Sequence, residues 1–299
     1  FARRNGCRSI RRLPRSDFLM TESIKRILVG LGTSRTARSV TDHAIDIAKP
    51  RGAMLTGLAV TDPVRIEWTG PRPMGVGVEE QTSELRKVRY ERAKADIALA
   101  GAEFASRCAA AGVDHHIDEE TGDPFDVAED LVRYHDMCVF GLKCLFEHDV
   151  VPEPVDALER LVSSGVRPIL AVGEEFRPIR KILVAYSGSI ESAKTFKHFV
   201  QSGLFPDAAV RIVHFGSDDE AASRRLEKSS TYFAAHGRVV DTDHAPGHPA
   251  SALVPYANAW GADLIVAGNS AKNLLMRKLF GETALKLLRE STLPLYLAQ

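Results

Sequence analysis

The sequence RKILVAYSGSIESAKTFKHFV at residues 180–200 has a counterpart at residues 25–48, which reads KRILVGLGTSRTARSVTDHAIDIA. Both contain a charged residue, an apolar strand-like run, a turn of small residues that ends at Ser34 or Ser189, and an amphipathic helical pattern. Later segments repeat in the same order. TGDPFDVAEDLVRYHDMCVFG (121–141) parallels APGHPASALVPYANAWGADLIVAG (245–268), and RPILAV (167–172) parallels LPLYLA (293–298). Self-similarity on this scale predicts two copies of one domain.

Each copy alternates short apolar runs with helical patterns, which is typical of a parallel sheet covered by helices on both faces. The predicted fold class is therefore α/β, with two tandem doubly wound parallel-sheet domains of the Rossmann-like kind. Predicted strands of the first copy are 27–30, 55–60, 114–117, 137–140 and 169–172, and those of the second are 182–185, 210–215, 239–242, 264–267 and 295–297. The last strand of each copy is apolar and lies at a sheet edge, so we expect these two strands to pair inside the chain or across a dimer.

The first copy also carries an insertion, DPVRIEWTGPRPMGVGVEEQ at residues 62–81, whose Pro and Gly content predicts a mobile loop. A long helix is predicted after it, from about Glu84 to Ala111. The expected domains are residues 20–175 and 176–299. The join GEEFRP (173–178) is too short to be a flexible tether, so we expect the two domains to pack together. Residues 1–19, with six Arg, are interpreted as a disordered or non-native basic tail.

Composition restricts the class of function. Without the tail the chain is mildly acidic, which disfavours nucleic acid as the main partner because binding to phosphate backbones needs a concentrated basic surface. No apolar run reaches the length of a membrane span, so no membrane partner is expected. The four cysteines form no CxxC pair, and this favours a reducing, cytoplasmic compartment.

These features together resemble the universal stress protein family in its tandem form, over residues 24–299. The resemblance is carried by ILVAYSGS (182–189), by the GHP turn at 247–249, by GADLIVAG (261–268) and by the C-terminal glycine loop followed by LPLYLA. It implies a stress-response protein whose ligand is an adenine nucleotide, either ATP or AMP, with Mg²⁺ accompanying ATP.

Nucleotide-binding members of the family carry Gly, two residues, Gly, nine residues, and then Gly followed by Ser or Thr after the fourth strand. Glycines allow backbone N–H groups to approach phosphate oxygens, and the following helix N-terminus adds its positive dipole end. In this chain the resemblance places the pattern on Gly268, Ala271, Gly281 and Glu282. Glu282 brings a negative charge where a hydroxyl is usual, and Thr283 could supply that hydroxyl if the helix begins one residue later.

Adenine and ribose contacts in the family come from the turn after the first strand, where Asp is usual. That place is Ser187 in the second copy and Gly32 in the first, so weaker binding is expected. The resemblance implies a binding set in the second copy made of Ala185, Tyr186, Ser187, Ser189, Val213, Ala267, Gly268, Ser270, Ala271, Gly281, Glu282 and Thr283.

The first copy has lost the phosphate loop. Gly141 is retained, but Val155 stands where Gly281 stands in the second copy, and the segment between them is acidic. We therefore expect the first copy to serve as a packing partner. The predicted function is a stress sensor that binds an adenine nucleotide weakly in the second domain and is not an enzyme, although weak ATP hydrolysis stays open. The alternative is a stress-response interaction or dimerisation module without nucleotide.

Other chemistry is weaker in the sequence. His115 and His116 are neighbours in a strand and so point to opposite faces, which disqualifies them as a chelating pair. Prolines around His248 disfavour a helical metal pair with His244, and no metal site is expected. For two residues the sequence leaves two interpretations open. His214 is either a neighbour of the adenine or a polar residue at a strand end. Cys144 is either a redox-active thiol or an inert one.

Overall fold

The computed structural model describes residues 24–33, 35–63, 78–142, 168–216, 219–268 and 282–298. In the first repeat the elements are β1 (Arg26–Gly30), α1 (Ala37–Ala48), β2 (Met54–Thr61), α2 (Val78–Ala111), β3 (His115–Thr121), α3 (Pro124–Val132), β4 (Met137–Gly141) and β5 (Ile169–Val172). In the second they are β6 (Lys181–Ala185), α4 (Ile190–Gln201), β7 (Ala209–Phe215), α5 (Glu220–Ala235), β8 (Val240–Ala245), α6 (Pro249–Trp260), β9 (Leu264–Gly268), α7 (Glu282–Glu290) and β10 (Leu295–Ala298).

The described strands form one ten-stranded sheet in the order β3-β2-β1-β4-β5-β10-β9-β6-β7-β8. All neighbours are parallel except β5 and β10, which run antiparallel with Leu295 opposite Ala171 and Leu297 opposite Ile169. The two final strands therefore pair inside the chain, which is the first of the two expected arrangements. We call this antiparallel pair of β5 and β10 the seam. Counted outward from the seam, the strand order is the same in both repeats, and the strands of one repeat run opposite to those of the other.

Helices cover both faces of the sheet, as the buried apolar runs of the parallel strands require. On one face, α1, α2, α4 and α5 enclose a core that includes Phe104, Phe196, Phe199, Phe233 and Tyr296. On the other face, α3, α6 and α7 enclose a second core that includes Phe125, Leu253 and Leu287. Both cores contain residues of both repeats, so the two repeats share their hydrophobic interior.

Three element boundaries differ from the sequence prediction by more than one residue. The long helix begins at Val78 rather than near Glu84, so residues 78–81 of the predicted loop are helical, and residues 64–77 lie outside the described residues. The third strand of each repeat continues to Thr121 and Ala245, beyond the predicted ends at 117 and 242. Ladder pairing with β2 and β7 extends these polar edge strands, although their composition alone does not favour a strand.

Candidate functional site

The carboxyl ends of β6, β7 and β9 meet where the strand order of the second repeat reverses. Ala185 lies in register with Val213 on one side and with Ala267 on the other, so these three predicted residues form one row across the sheet. In a doubly wound sheet the usual ligand position is the crevice outside the carboxyl ends of the strands at such a reversal. The crevice is the candidate site.

A cluster of serine hydroxyls forms the turn after β6. Ser187 Oγ lies 3.1 Å from Ser189 Oγ and 3.2 Å from Ser192 Oγ. Ser189 caps α4, because its Oγ accepts a 3.1 Å hydrogen bond from the Ser192 N–H. The Ser189 N–H in turn donates to Ser187 Oγ at 3.3 Å. The N-terminus of α4, with its positive dipole end, therefore faces the crevice.

Gly188 gives the turn its shape, and its lack of a Cβ atom leaves room for the Arg225 side chain. Its φ of +80° lies in the left-handed region, which other residues rarely adopt. A Cβ at this position would meet Cδ of Arg225 at 2.6 Å and its Nε at 2.9 Å. Arg225 is half-buried on α5, and within the described ranges no carboxylate forms an ion pair with it. Arg225 was not predicted from the sequence, because SRRLEK in α5 has no spacing that distinguishes it from a solvated helix face.

Tyr186 and His214 connect the ends of β6 and β7. The Tyr186 N–H donates to the Val213 carbonyl at 3.0 Å, and His214 Nδ1 lies 2.9 Å from the Tyr186 carbonyl oxygen. His214 is buried, and this contact gives it a structural role at the strand end. Burial raises the pKa of the Tyr186 hydroxyl, and the nearby Arg225 charge partly opposes that rise. Val213 is buried, and its side chain belongs to the second core.

Gly268 ends β9 in close contact with α4. A Cβ there would lie 2.8 Å from Ser192 Cα, 3.0 Å from Ser192 N and 3.0 Å from Thr195 Oγ1. These contacts are to the backbone and to a buried side chain, neither of which can move away easily. The packing of α4 against the strand end therefore requires this glycine, whether or not a phosphate approaches it.

The rest of the predicted binding set is only partly described. Ser270, Ala271 and Gly281 lie outside the described residues. Glu282 begins α7, but its side chain is also outside the described part, and Thr283 follows in the first turn as a half-buried residue. The predicted phosphate contacts of this loop stay predictions.

The corresponding crevice of the first repeat has different side chains. Leu31, which is buried, occupies the place of Tyr186, and Gly32 occupies the place of Ser187. Ser34, Cys144 and Val155 lie outside the described residues. A cavity of about 490 Å³ lies between this crevice and the amino ends of β9 and β10, lined by three acids (Glu174, Glu175, Asp263), two arginines (Arg35, Arg177), and hydroxyl and apolar residues from both repeats.

Both repeats of the chain match a known protein family. Residues 23–139 and 215–299 match the model of the universal stress protein family, and together they exceed half of the chain. The chain belongs to the universal stress protein family. The predicted family and the α/β fold class are thereby confirmed, while the domain limits at 20–175 and 176–299 stay predictions.

Relatives of this universal stress protein match it along most of its length. It is 25% identical over 285 residues to universal stress protein Slr1230 of Synechocystis sp., which covers 91% of this chain and 98% of that protein. A universal stress protein from Archaeoglobus fulgidus has a similar structure, with a TM-score of 0.65 at 17% identity over 92% of this chain and 96% of its own. A functionally unknown protein, PA1789 of Pseudomonas aeruginosa, has a TM-score of 0.59 at 15% identity, over 93% of each chain. At these identities the two structures support the fold alone.

Other candidate residues of this universal stress protein have structural partners. His115 packs edge-on against Phe104 while His116 contacts Asp118, so the two rings point to opposite faces as predicted. His248 caps α6 by accepting from the Ala250 N–H. Among the described residues, no group of three or more His, Cys, Asp or Glu side chains is arranged to hold a metal ion. None of the described helices is long and apolar enough to cross a membrane.

Proposed function

We propose that this chain is a stress-response sensor that binds an adenine nucleotide, ATP or AMP, weakly in the crevice of its second repeat. The proposal rests on the position of Arg225. This half-buried cation lies over the glycine turn that follows β6, at the point where the strand order reverses. An arginine there provides a forked donor for phosphate oxygens. The serine cluster and the start of α4 supply further donors around the same turn.

Each group has a distinct part in the proposed binding. Ser187 would hydrogen-bond a ribose hydroxyl, because it occupies the position at which the family usually has Asp. Backbone groups near Ala185 and Val213 would face the adenine. Arg225 and the N–H groups at the start of α4 would meet phosphate, and Mg²⁺ would enter with ATP rather than on a separate protein site. We assign no catalytic residue.

Weak binding follows from two features of the turn. A serine hydroxyl lacks the charge-assisted strength with which a carboxylate binds a ribose hydroxyl. In addition, Ser187, Ser189 and Ser192 already hydrogen-bond one another, so a ligand must replace contacts that the protein satisfies by itself.

Calorimetric titration of the full chain with ATP, AMP and cyclic AMP tests the proposal. We expect saturable binding with a dissociation constant between micromolar and millimolar. Arg225→Gln should weaken ATP binding about tenfold, equivalent to about 1.4 kcal/mol. Arg224→Gln is the matched control, because its neighbouring guanidinium pairs with Glu220 on the solvent side of α5. Equal effects of the two substitutions would remove Arg225 from the site, and no binding at millimolar nucleotide would end the proposal.

The mutual hydrogen bonds of the serine cluster also favour a second candidate function, a stress-response interaction module without nucleotide. Under this alternative the turn is complete as it stands, and Arg225 serves only to cover it. The two candidates differ in the titration: the module predicts no heat at millimolar ligand for the parent chain and for Arg225→Gln alike.

A further inference from the structure

Helix α2 is much longer than the part of it that packs on the sheet. Its 34 residues correspond to about 51 Å of helix. Among the described side chains of the helix, the buried ones begin at Ala93 and include Phe104 and Cys108. Residues 83–88 are all exposed, so the amino-terminal part of the helix has little described contact with the remainder of the fold.

The solvent face of α2 carries an apolar and small-residue stripe at heptad spacing. The large members are Leu85, Val88 and Leu99, which are 44%, 60% and 70% exposed. Alternating steps of three and four residues place them on one face with Arg92, Ala95 and Ala102, all of which are exposed. A 3.5-residue repeat of this kind is the pattern that a helix uses to pack along a second helix. We call these six residues the α2 stripe.

The sheet edges offer a second copy no comparable surface. The outer strands are β3 and β8, and each carries acidic side chains, as HHIDEET and VDTDHA show. Charged edge strands oppose edge-to-edge pairing. The apolar strands β5 and β10 already pair with each other within the chain. Among the described elements, the α2 stripe is therefore the apolar surface best suited to a symmetric contact between two copies.

We propose that two copies of this chain associate through an antiparallel pair of α2 helices. A two-fold axis between residues 93 and 94 would stack Leu85 on the partner's Ala102 and Val88 on the partner's Leu99. The central layer would place the aliphatic stem of Arg92 over the partner's Ala95 and leave its guanidinium at the edge of the contact. Large side chains meet small ones at the ends, which suits close helix packing.

The charges beside the stripe favour the antiparallel direction. On one flank, Arg89 would face the partner's Asp96, whose carboxylate also lies 4.0 Å from Arg92 Nε of its own helix. The two-fold axis would form the same contact twice. On the other flank, Glu91 would face the partner's Ala98, which carries no charge. A parallel pair would instead place Arg92 against its own copy and Glu91 close to the partner's Asp96, so that like charges meet. Flanking charges set helix direction in this way in coiled coils.

Sedimentation equilibrium of the full chain tests the contact. The parent should form a dimer in a concentration-dependent manner, and Val88→Glu should raise its dissociation constant at least tenfold. Val239→Glu is the matched control, because this valine is 94% exposed and lies outside α2. It should leave the dimer unchanged. A monomeric parent at all concentrations, or a dimer that responds equally to both substitutions, would overturn the proposal.

A charge exchange tests the direction of the helices. Arg89→Glu should weaken the dimer, because two contacts with Asp96 become repulsive. Adding Asp96→Lys to that variant should restore association to within a few fold of the parent, since the exchanged pair attracts again. If the double variant is weaker than the single one, the antiparallel arrangement is wrong.

Discussion

The two repeats share one framework and differ at the carboxyl ends of their strands. Asp136 accepts hydrogen bonds from the Lys25 and Arg26 N–H groups at 2.6 and 2.8 Å, which ties the start of β4 to the start of β1. Asp263 does the same in the second repeat, accepting from Arg180 and Lys181 at 2.9 and 2.8 Å. The amino ends of the strands thus keep the same contacts in both copies.

The opposite ends of the strands have diverged. In the second repeat the turn after β6 holds a serine cluster and a cation, whereas the matching turn of the first repeat contains buried Leu31 and Gly32. The helix caps differ as well, since Asp123 is the N-cap of α3 whereas His248 is the N-cap of α6. The contacts that hold the sheet together, at the amino ends of the strands, are therefore the same in both repeats. The contacts that could serve a ligand, at the carboxyl ends, differ between them.

The largest effect on stability is expected at Gly268, where the end of β9 packs against α4. Gly268→Ala should lower the free energy of unfolding by about 3 kcal/mol, because its methyl group would overlap the Ser192 backbone. Gly101→Ala, inside α2, is the control. Its methyl group would lie 3.3 Å from the flexible Cδ1 of Ile117 and 4.0 Å from its Cγ2, so stability should stay within about 1 kcal/mol of the parent. Urea denaturation measures both, and similar losses would contradict the close packing at β9.

The next effect concerns the connection between the repeats. Arg51 donates to the Ile47 carbonyl at 2.9 Å and to the Gly203 carbonyl at 2.7 Å, so one guanidinium joins helix ends of both repeats. Burial lowers the pKa of this guanidinium, yet it has two carbonyl acceptors. Arg51→Met should cost about 2 kcal/mol of stability. Arg224→Met removes only an exposed ion pair and should cost less than about 0.5 kcal/mol, so equal losses would refute the connecting role.

A binding experiment sharpens the difference between the two turns. Ser187→Asp should strengthen ATP or AMP binding about tenfold, equivalent to about 1.4 kcal/mol, by restoring a carboxylate for the ribose hydroxyls. Gly32→Asp places the same side chain at the equivalent position of the first repeat and should add no second site. Calorimetric affinity and stoichiometry distinguish the outcomes. A gain at Gly32 would show that the first crevice is still competent.

The smallest effect is a pH dependence that arises in the first repeat. Burial lowers the pKa of His43 and of His135 from the ordinary value of 6.5. The unfolded chain then binds more protons than the folded one below pH 6.5, so stability is complete above that pH and falls as the solution is acidified. His43→Leu should make the fall between pH 7.5 and pH 5.5 shallower. An unchanged slope in this variant would exclude His43 as a source.

The repeat made most of the fold predictable. Apolar runs such as ILVA at 182–185 were bounded by turns, and this pattern, repeated in both copies, predicted ten strands in parallel sheets. The apolar character of the two final strands predicted that they pair, inside the chain or across a dimer. Thr121 and Ala245 were missed as strand ends, because edge-strand pairing depends on the neighbouring strand rather than on composition.

The candidate site was less predictable, for a physical reason. Ala185, Val213 and Ala267 were found because strand ends in a parallel sheet fall in one row. Arg225 was not found, since it reaches the turn from a helix that is distant in sequence and whose local pattern indicates only solvent exposure. Gly268 was interpreted through a ligand, whereas its contacts with Ser192 give it a packing role that no spacing rule reveals.

The antiparallel seam has a consequence for how the chain is made. Ile169 in β5 finds its partner only when Leu297 in β10 has been synthesised. A ribosome adding ~5–20 residues per second needs on the order of 10 s for the chain between them. Throughout that interval the apolar edge of β5 stays open to other strands, including those of neighbouring nascent chains. Synthesis of this protein therefore includes a period of exposure to aggregation that ends with the closure of the seam.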